Sequence, residues 1–136
     1  MAGSDAPPLI HRPDEADEYP IAERCHILEI WNRSDDQALS VARARVAPGV
    51  TTRWHRLDGI CERYLILSGQ GRVEVGTRAP QSVGPGDLVH IPPDCPQRIA
   101  NPGREDLIFL ALCTPRFVPQ TYKDLEGQDP AGSQTI

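Results

Sequence analysis

Residues 49–69 read Gly49-Val50-Thr51-Thr52-Arg53-Trp54-His55-Arg56-Leu57-Asp58-Gly59-Ile60-Cys61-Glu62-Arg63-Tyr64-Leu65-Ile66-Leu67-Ser68-Gly69. Two runs with strand character flank an Asp58-Gly59 turn, the pattern of a pair of antiparallel strands. Residues i and i+2 of a strand share a face. Thr51, Arg53, His55 and Leu57 therefore project on one side of the first run. Glu62, Tyr64 and Ile66 share one side of the second, and Arg63, Leu65 and Leu67 the other. The turn brings the runs together, so an imidazole (His55) and a carboxyl (Glu62) face one interior. Cys61 falls on the far side.

The same texture extends in both directions. Strand candidates span 25–31, 39–46, 50–57, 62–67, 72–75, 87–91, 97–100 and 107–113. Pro48-Gly49, Ser68-Gly69, Gly71, Pro85-Gly86, Pro92-Pro93 and Asn101-Pro102-Gly103 separate them with turn chemistry. No long segment carries a 3.6-residue period bounded by caps. Eight short strands with tight turns predict an all-β sandwich or closed barrel, which protects its edges and leaves an interior cavity. The spacing divides the chain into an acidic, Pro-rich flexible arm (1–20), a barrel domain (21–118) and a C-terminal tail (119–136).

Composition limits the function classes. At 136 residues the chain is one domain. Its net charge of −5 hides an asymmetry: residues 1–36 carry −6, residues 37–118 carry +3, and residues 119–136 carry −2. A mildly basic core points to a pocket for a small anion. No stripe of basic residues with interleaved aromatics is present, which argues against nucleic acid. No apolar run is long enough to span a bilayer, so no membrane association is expected. The N-terminus lacks an apolar signal core, which predicts a cytoplasmic location. The four cysteines (25, 61, 95 and 113) then read as free thiols. Thirteen Arg against one Lys fits a GC-rich bacterial genome.

A longer pattern emerges across residues 48–115. Gly49, His55, Leu57, Glu62 and Gly69 follow the spacing G-x5-H-x-H-x3,4-E-x6-G. Gly86, Pro92, Asp94, Gln97 and Asn101 follow G-x5-P-x-G-x2-H-x3-N. In this the chain resembles the cupin superfamily, whose fold is a double-stranded β-helix, or jelly-roll barrel. Further segments, among them Glu62–Leu67, Val73–Gly76, Pro96–Ile99 and Cys113–Phe117, resemble small single-domain bacterial cupins in which Gln at the second-motif position is habitual.

The resemblance implies a divalent metal ion (Zn, Mn, Fe or Ni) held by His55, Glu62 and Gln97. The departures are Leu57, at a position the family fills with His, and Gln97, at another. An amide oxygen is a weaker ligand than imidazole, so the implied ion binds loosely or not at all. With that ion the expected function is Lewis-acid chemistry: a lyase, decarboxylase or isomerase acting on a small anionic metabolite. The alternatives are a metal-free ligand-binding module, a metal-free isomerase with His55 as base, and an oxygen-dependent dioxygenase. His55 and Glu62 are the catalytic candidates, and partial burial is expected to raise the Glu62 pKa. Arg53, Leu57, Tyr64, Gln97 and Ile99 are the expected substrate-binding residues, with Arg53 clamping a carboxylate. Pairing of Glu62 with Arg53 or Arg98 is the structural alternative. His90 reads as pocket wall or surface, Cys95 as a substitute soft ligand, and Cys113 as barrel lining. Small cupins commonly pair, so the resemblance also implies a homodimer.

Overall fold

The computed structural model describes residues 3–127. Among the described residues eleven strands form two antiparallel sheets, and there is no α-helix. The strands are β1 (Tyr19–Ile21), β2 (Cys25–Trp31), β3 (Ser40–Val46), β4 (His55–Leu57), β5 (Cys61–Ser68) and β6 (Gly71–Val75). They continue as β7 (Gln81–Val83), β8 (Leu88–Ile91), β9 (Gln97–Ala100), β10 (Leu107–Thr114) and β11 (Tyr122–Asp124). One sheet runs β1-β2-β3-β10-β5-β8 and the other β11-β4-β9-β6-β7. Packed face to face, they make the expected jelly-roll barrel.

Alternation decides which residues go inside. Glu62, Tyr64 and Ile66 are buried along β5, and Leu107, Phe109 and Cys113 along β10. A continuous cluster that includes Val46, Ile66, Ile91, Ile99, Leu107 and Phe109 plugs one end of the barrel. Burying such a side chain contributes roughly 1.5–3 kcal/mol, so this end carries most of the stability. A smaller cluster sets Leu57, Ile60 and Cys113 against Phe117 and Tyr122, and members of both clusters wall a cavity between the sheets.

The two spaced motifs are fastened to each other. Gly49 N–H donates to the Asn101 carbonyl (2.8 Å), and Asp94 N–H donates to the Leu57 carbonyl (3.1 Å). Gly59 N–H donates to Asp94 Oδ1 (2.9 Å). Asn101 is a buried pin: its amide donates to the carbonyls of Val46 (2.9 Å) and Glu105 (2.7 Å) and accepts from Gly103 N–H (2.9 Å). Gly69 sits at φ +83, and a Cβ there would lie 2.9 Å from Leu107 Cα. A side chain at this turn would therefore push β10 away.

Three expectations change. The strand expected over 50–57 is broken: only His55–Leu57 is regular, with Thr51 in an isolated bridge to Ala100. The cause is side-chain substitution, because Thr52 Oγ1 accepts the Ile99 N–H (3.0 Å) while Arg53 N–H turns away to the Glu23 carbonyl (3.3 Å). The segment read as a flexible arm ends in strand β1, which carries Pro20 and lies at a sheet edge, where a missing N–H is tolerated. Glu15 and Glu18 of the same segment pair with Arg43 and Arg45. The segment read as a tail supplies β11, paired with β4 through Tyr122–Leu57 and Asp124–His55. Residues 128–136 of that segment lie outside the described part.

Candidate functional site

Between the sheets lies a cavity of about 380 Å³. Its wall is mostly apolar, with Ile21, Ile27, Ala44, Leu57, Phe109 and Phe117 among its members. Among the polar groups that enter it are His55 and Arg53 from β4 and the loop before it, Glu62 from β5, Glu23 from the β1–β2 turn, Glu29 from β2, and Tyr122 and Asp124 from β11.

His55 is 2% exposed. Its Nδ1 lies 2.7 Å from the Arg53 carbonyl. A carbonyl can only accept, so Nδ1 carries the hydrogen and Nε2 keeps its lone pair. Burial pushes the His55 pKa down, which keeps the ring neutral near pH 7. The Tyr122 ring stacks on it, with centroids 4.9 Å apart at 17°. Facing Nε2 at 3.9 Å, too far for a hydrogen bond, is Glu23 Oε2, a carboxyl not among the sequence-derived candidates. Burial, with the neighbouring charge of Glu62, raises Glu23 to about 8.

Glu62 faces His55 from the opposite sheet. Gln97 Nε2 donates to its Oε1 (2.8 Å), and the Cys113 thiol approaches Oε2 at 3.8 Å. Burial raises the Glu62 pKa to about 7, opposed by those two donors. Glu62 takes no arginine: Arg53 is held by Asp124 and Arg98 by Glu74. The Tyr64 hydroxyl donates to Gln97 Oε1. Tyr64, Gln97 and Glu62 thus form a buried hydrogen-bonded chain from one sheet to the other. Desolvation, together with the nearby carboxyls, raises the Tyr64 pKa, so the phenol stays protonated.

The sequence-derived residues divide into three groups. Arg53, His55, Leu57, Glu62 and Tyr64 line the cavity. Gln97 is fully buried behind Glu62, and Ile99 belongs to the plug at the closed end; neither lines the cavity. β9 lies beside β4 in the sheet opposite Glu62 and Tyr64, with Gln97 paired to His55, and its inward side chains are covered by Glu62 and Tyr64. Cys113 lines the cavity, as does Cys25. His90 is exposed beside Cys61 (3.8 Å), and Cys95 bonds the adjacent Pro96 carbonyl, so neither reaches the site.

The implied metal set does not fit these residues. Gln97 spends its amide oxygen on Tyr64 and turns its N–H toward Glu62, so no amide oxygen is free for an ion. Turning the amide over would set its oxygen against Glu62 whenever that carboxyl is ionised. Leu57 adds only carbon. Among the described residues no three His, Cys, Asp or Glu side chains converge on one point. Arg53 is likewise not an open clamp, since Nε and Nη2 both donate to Asp124 Oδ2 (3.2 and 2.9 Å).

Glu23, Tyr122 and Asp124 escaped the sequence reading. Ile21, Glu23, Cys25 and Ile27 do alternate, and carrying the first strand back by four residues would have found Glu23. For Tyr122 and Asp124 the signal is a two-residue alternation within a short polar stretch. Among the described residues no helix is long and apolar enough to cross a membrane.

Comparison with known proteins agrees with this architecture. The structure is similar to a predicted oxalate decarboxylase from Thermotoga maritima (23% identity, 78% of this chain and 98% of that one, TM-score 0.70). It is also similar to KdgF from a Halomonas species (16% identity, 80% and 96% coverage, TM-score 0.70). A third likeness is to a Cupin 2 conserved barrel domain protein from Salinispora arenicola (19% identity, 79% and 90% coverage, TM-score 0.67). At these identities the likeness establishes the fold alone. No curated protein sequence matches the chain significantly. The Cupin_2 family profile (Cupin domain) matches residues 42–113, more than half of the sequence. With both motif spacings in place and the double-stranded β-helix around them, the chain belongs to the cupin family.

Proposed function

We propose that this cupin binds a small molecule with an apolar body in its interior cavity and moves a proton on it without a metal ion. His55 acts as base and Glu62 as acid, which corresponds to an isomerase or eliminating lyase. The observation that carries this reading is the tethered imidazole. The Arg53 carbonyl fixes the tautomer, so the free Nε2 lone pair faces a mostly apolar cavity. A neutral imidazole in that state is ready to accept a proton. Glu62 sits on the other sheet with a pKa of about 7, where a carboxyl can both hold and return a proton near neutrality. A substrate between the sheets would meet base on one side and acid on the other. Gln97 positions Glu62 through its N–H.

The family resemblance and the likeness to a predicted oxalate decarboxylase support small-molecule chemistry in this barrel. The Lewis-acid version of that chemistry requires Gln97 to abandon both Tyr64 and Glu62.

Solvent exchange tests the proposal. A panel of ketones, keto acids and amino ketones is incubated with the protein in D2O, and deuterium incorporation is followed by mass spectrometry. The wild type should label at least one carbonyl compound, and His55→Gln, with an unchanged circular dichroism spectrum, should label it on the order of 100-fold more slowly. Equal labelling by both proteins refutes the role of His55. Binding of panel members with no labelling makes the protein a binding module.

A further inference from the structure

The cavity that accepts the substrate in the reading above is poor in positive charge. Four carboxyl side chains line it, Glu23, Glu29, Glu62 and Asp124, against one guanidinium, Arg53. Arg53 is already neutralised by Asp124, through two bonds to one oxygen. Glu62 has its own donors in Gln97 and Cys113. Glu23 has none: among the described residues no N–H or O–H group bonds its carboxyl, and His55 Nε2, 3.9 Å away, carries no hydrogen. The Glu23 side chain keeps only 17% of its surface exposed; a carboxyl so placed without a donor is costly to charge, and a cation is the partner that removes the cost.

Two more unmet acceptors lie at the same end. One is the His55 Nε2 lone pair. The other is the Tyr122 hydroxyl, buried and without a partner among the described residues, on the ring that stacks against His55. A primary ammonium carries three N–H donors, and this end of the cavity offers three acceptors without donors. The rest of the wall suits the remainder of such a molecule. Tyr19, Tyr64, Phe109, Phe117 and Tyr122 contribute aromatic surface, which attracts a cation and packs an apolar body.

We propose that the ligand of this cavity is an organic ammonium, a protonated amine on an apolar body, with Glu23 as its counter-ion and the specificity-determining residue. An anion such as a simple carboxylate would find no free positive group, and Glu23 could offer it only a neutral or a negative carboxyl. This reverses the anionic ligand expected from the charge distribution along the chain. It rests on the preceding proposal only in taking the cavity as the ligand site. Whether a proton is then moved is a separate matter.

Three probes with one shared body decide it: 2-phenylethylamine, 2-phenylethanol and phenylacetate, titrated into the full-length protein by calorimetry at pH 7. The amine should bind at least tenfold more tightly than the alcohol, and phenylacetate should bind more weakly than both. Glu23→Gln should abolish the preference for the amine and leave the affinity for the alcohol within about threefold. If Glu23→Gln does not fold, the ranking of the three probes on the wild type decides alone. Equal binding of amine and alcohol, tighter binding of phenylacetate, or no binding of any probe overturns the proposal. An amine that binds in a protein showing no deuterium exchange removes the proton-transfer reading and leaves this one standing. Exchange with an anion preference does the reverse.

Discussion

Replacing Glu62 by Gln should change how stability depends on pH, by an amount the structure sets. The Glu62 carboxyl titrates near 4.5 in the unfolded chain and at about 7 in the folded protein, because burial disfavours its charge. Between those values the folded protein keeps a proton that the unfolded chain has released. Stability therefore falls as pH rises through the window and levels off above it. One pH unit inside the window is worth about 1.4 kcal/mol, so this group removes roughly 2–3 kcal/mol of stability between pH 5 and pH 8. Gln at this position has a similar shape, and its amide oxygen can still accept the Gln97 N–H that now bonds Oε1 at 2.8 Å. It has no proton to lose. Urea unfolding of both proteins at pH 5, 6.5 and 8 should show the variant gaining roughly 2–3 kcal/mol on the wild type from the acid to the alkaline end. Glu23 titrates in both proteins and largely cancels. What remains adds in the same direction, because the Glu62 charge helps to raise Glu23. Parallel pH profiles for the two proteins would refute the reasoning, since they would mean that Glu62 ionises as freely folded as unfolded.

Two further outcomes follow from the buried amides. After loading with Zn, Mn, Fe or Ni and gel filtration, elemental analysis should find well under one equivalent of metal, with no difference between wild type, His55→Ala and Glu62→Ala; one equivalent lost in both variants would show that Gln97 gives up Tyr64 and Glu62 for an ion. Asn101→Ala removes a donor from the buried Val46 carbonyl, another from the Glu105 carbonyl and an acceptor from Gly103, so urea unfolding should show a loss of about 2–4 kcal/mol; a loss under about 0.5 kcal/mol would mean that the pin is dispensable.

The barrel was legible in the sequence because its turns are chemically marked and its motif turns bond one another. Gly49 to Asn101 and Asp94 to Leu57 are backbone contacts that tolerate little change in spacing, so spacing reports them. The central strands were legible because each puts one face on the core. β1, β7 and β11 were not, because they are short, lie at sheet edges and have mainly exposed or half-exposed side chains. For the site, alternation placed His55, Glu62, Leu57, Tyr64 and Arg53 on the inner face. It could not say how deep a residue sits, and Gln97 and Ile99 therefore fell behind the cavity wall. Nor could it foresee that Asp124, 71 residues away, would occupy Arg53. Glu23 and Tyr122 come from segments outside the motifs, where spacing carries no information about the barrel interior.

The two ends of the barrel divide the molecule's obligations. The plugged end, around Ile66, Ile99 and Leu107, holds the chain together without touching the cavity, apart from shared members such as Tyr64 and Phe109. Several side chains that would meet a guest come instead from the β1–β2 turn and β11, small pieces lying against an already finished sandwich. Substitutions in those pieces can redirect which guest is welcome while leaving folding nearly untouched, so a new preference can be acquired in small steps, each of them viable.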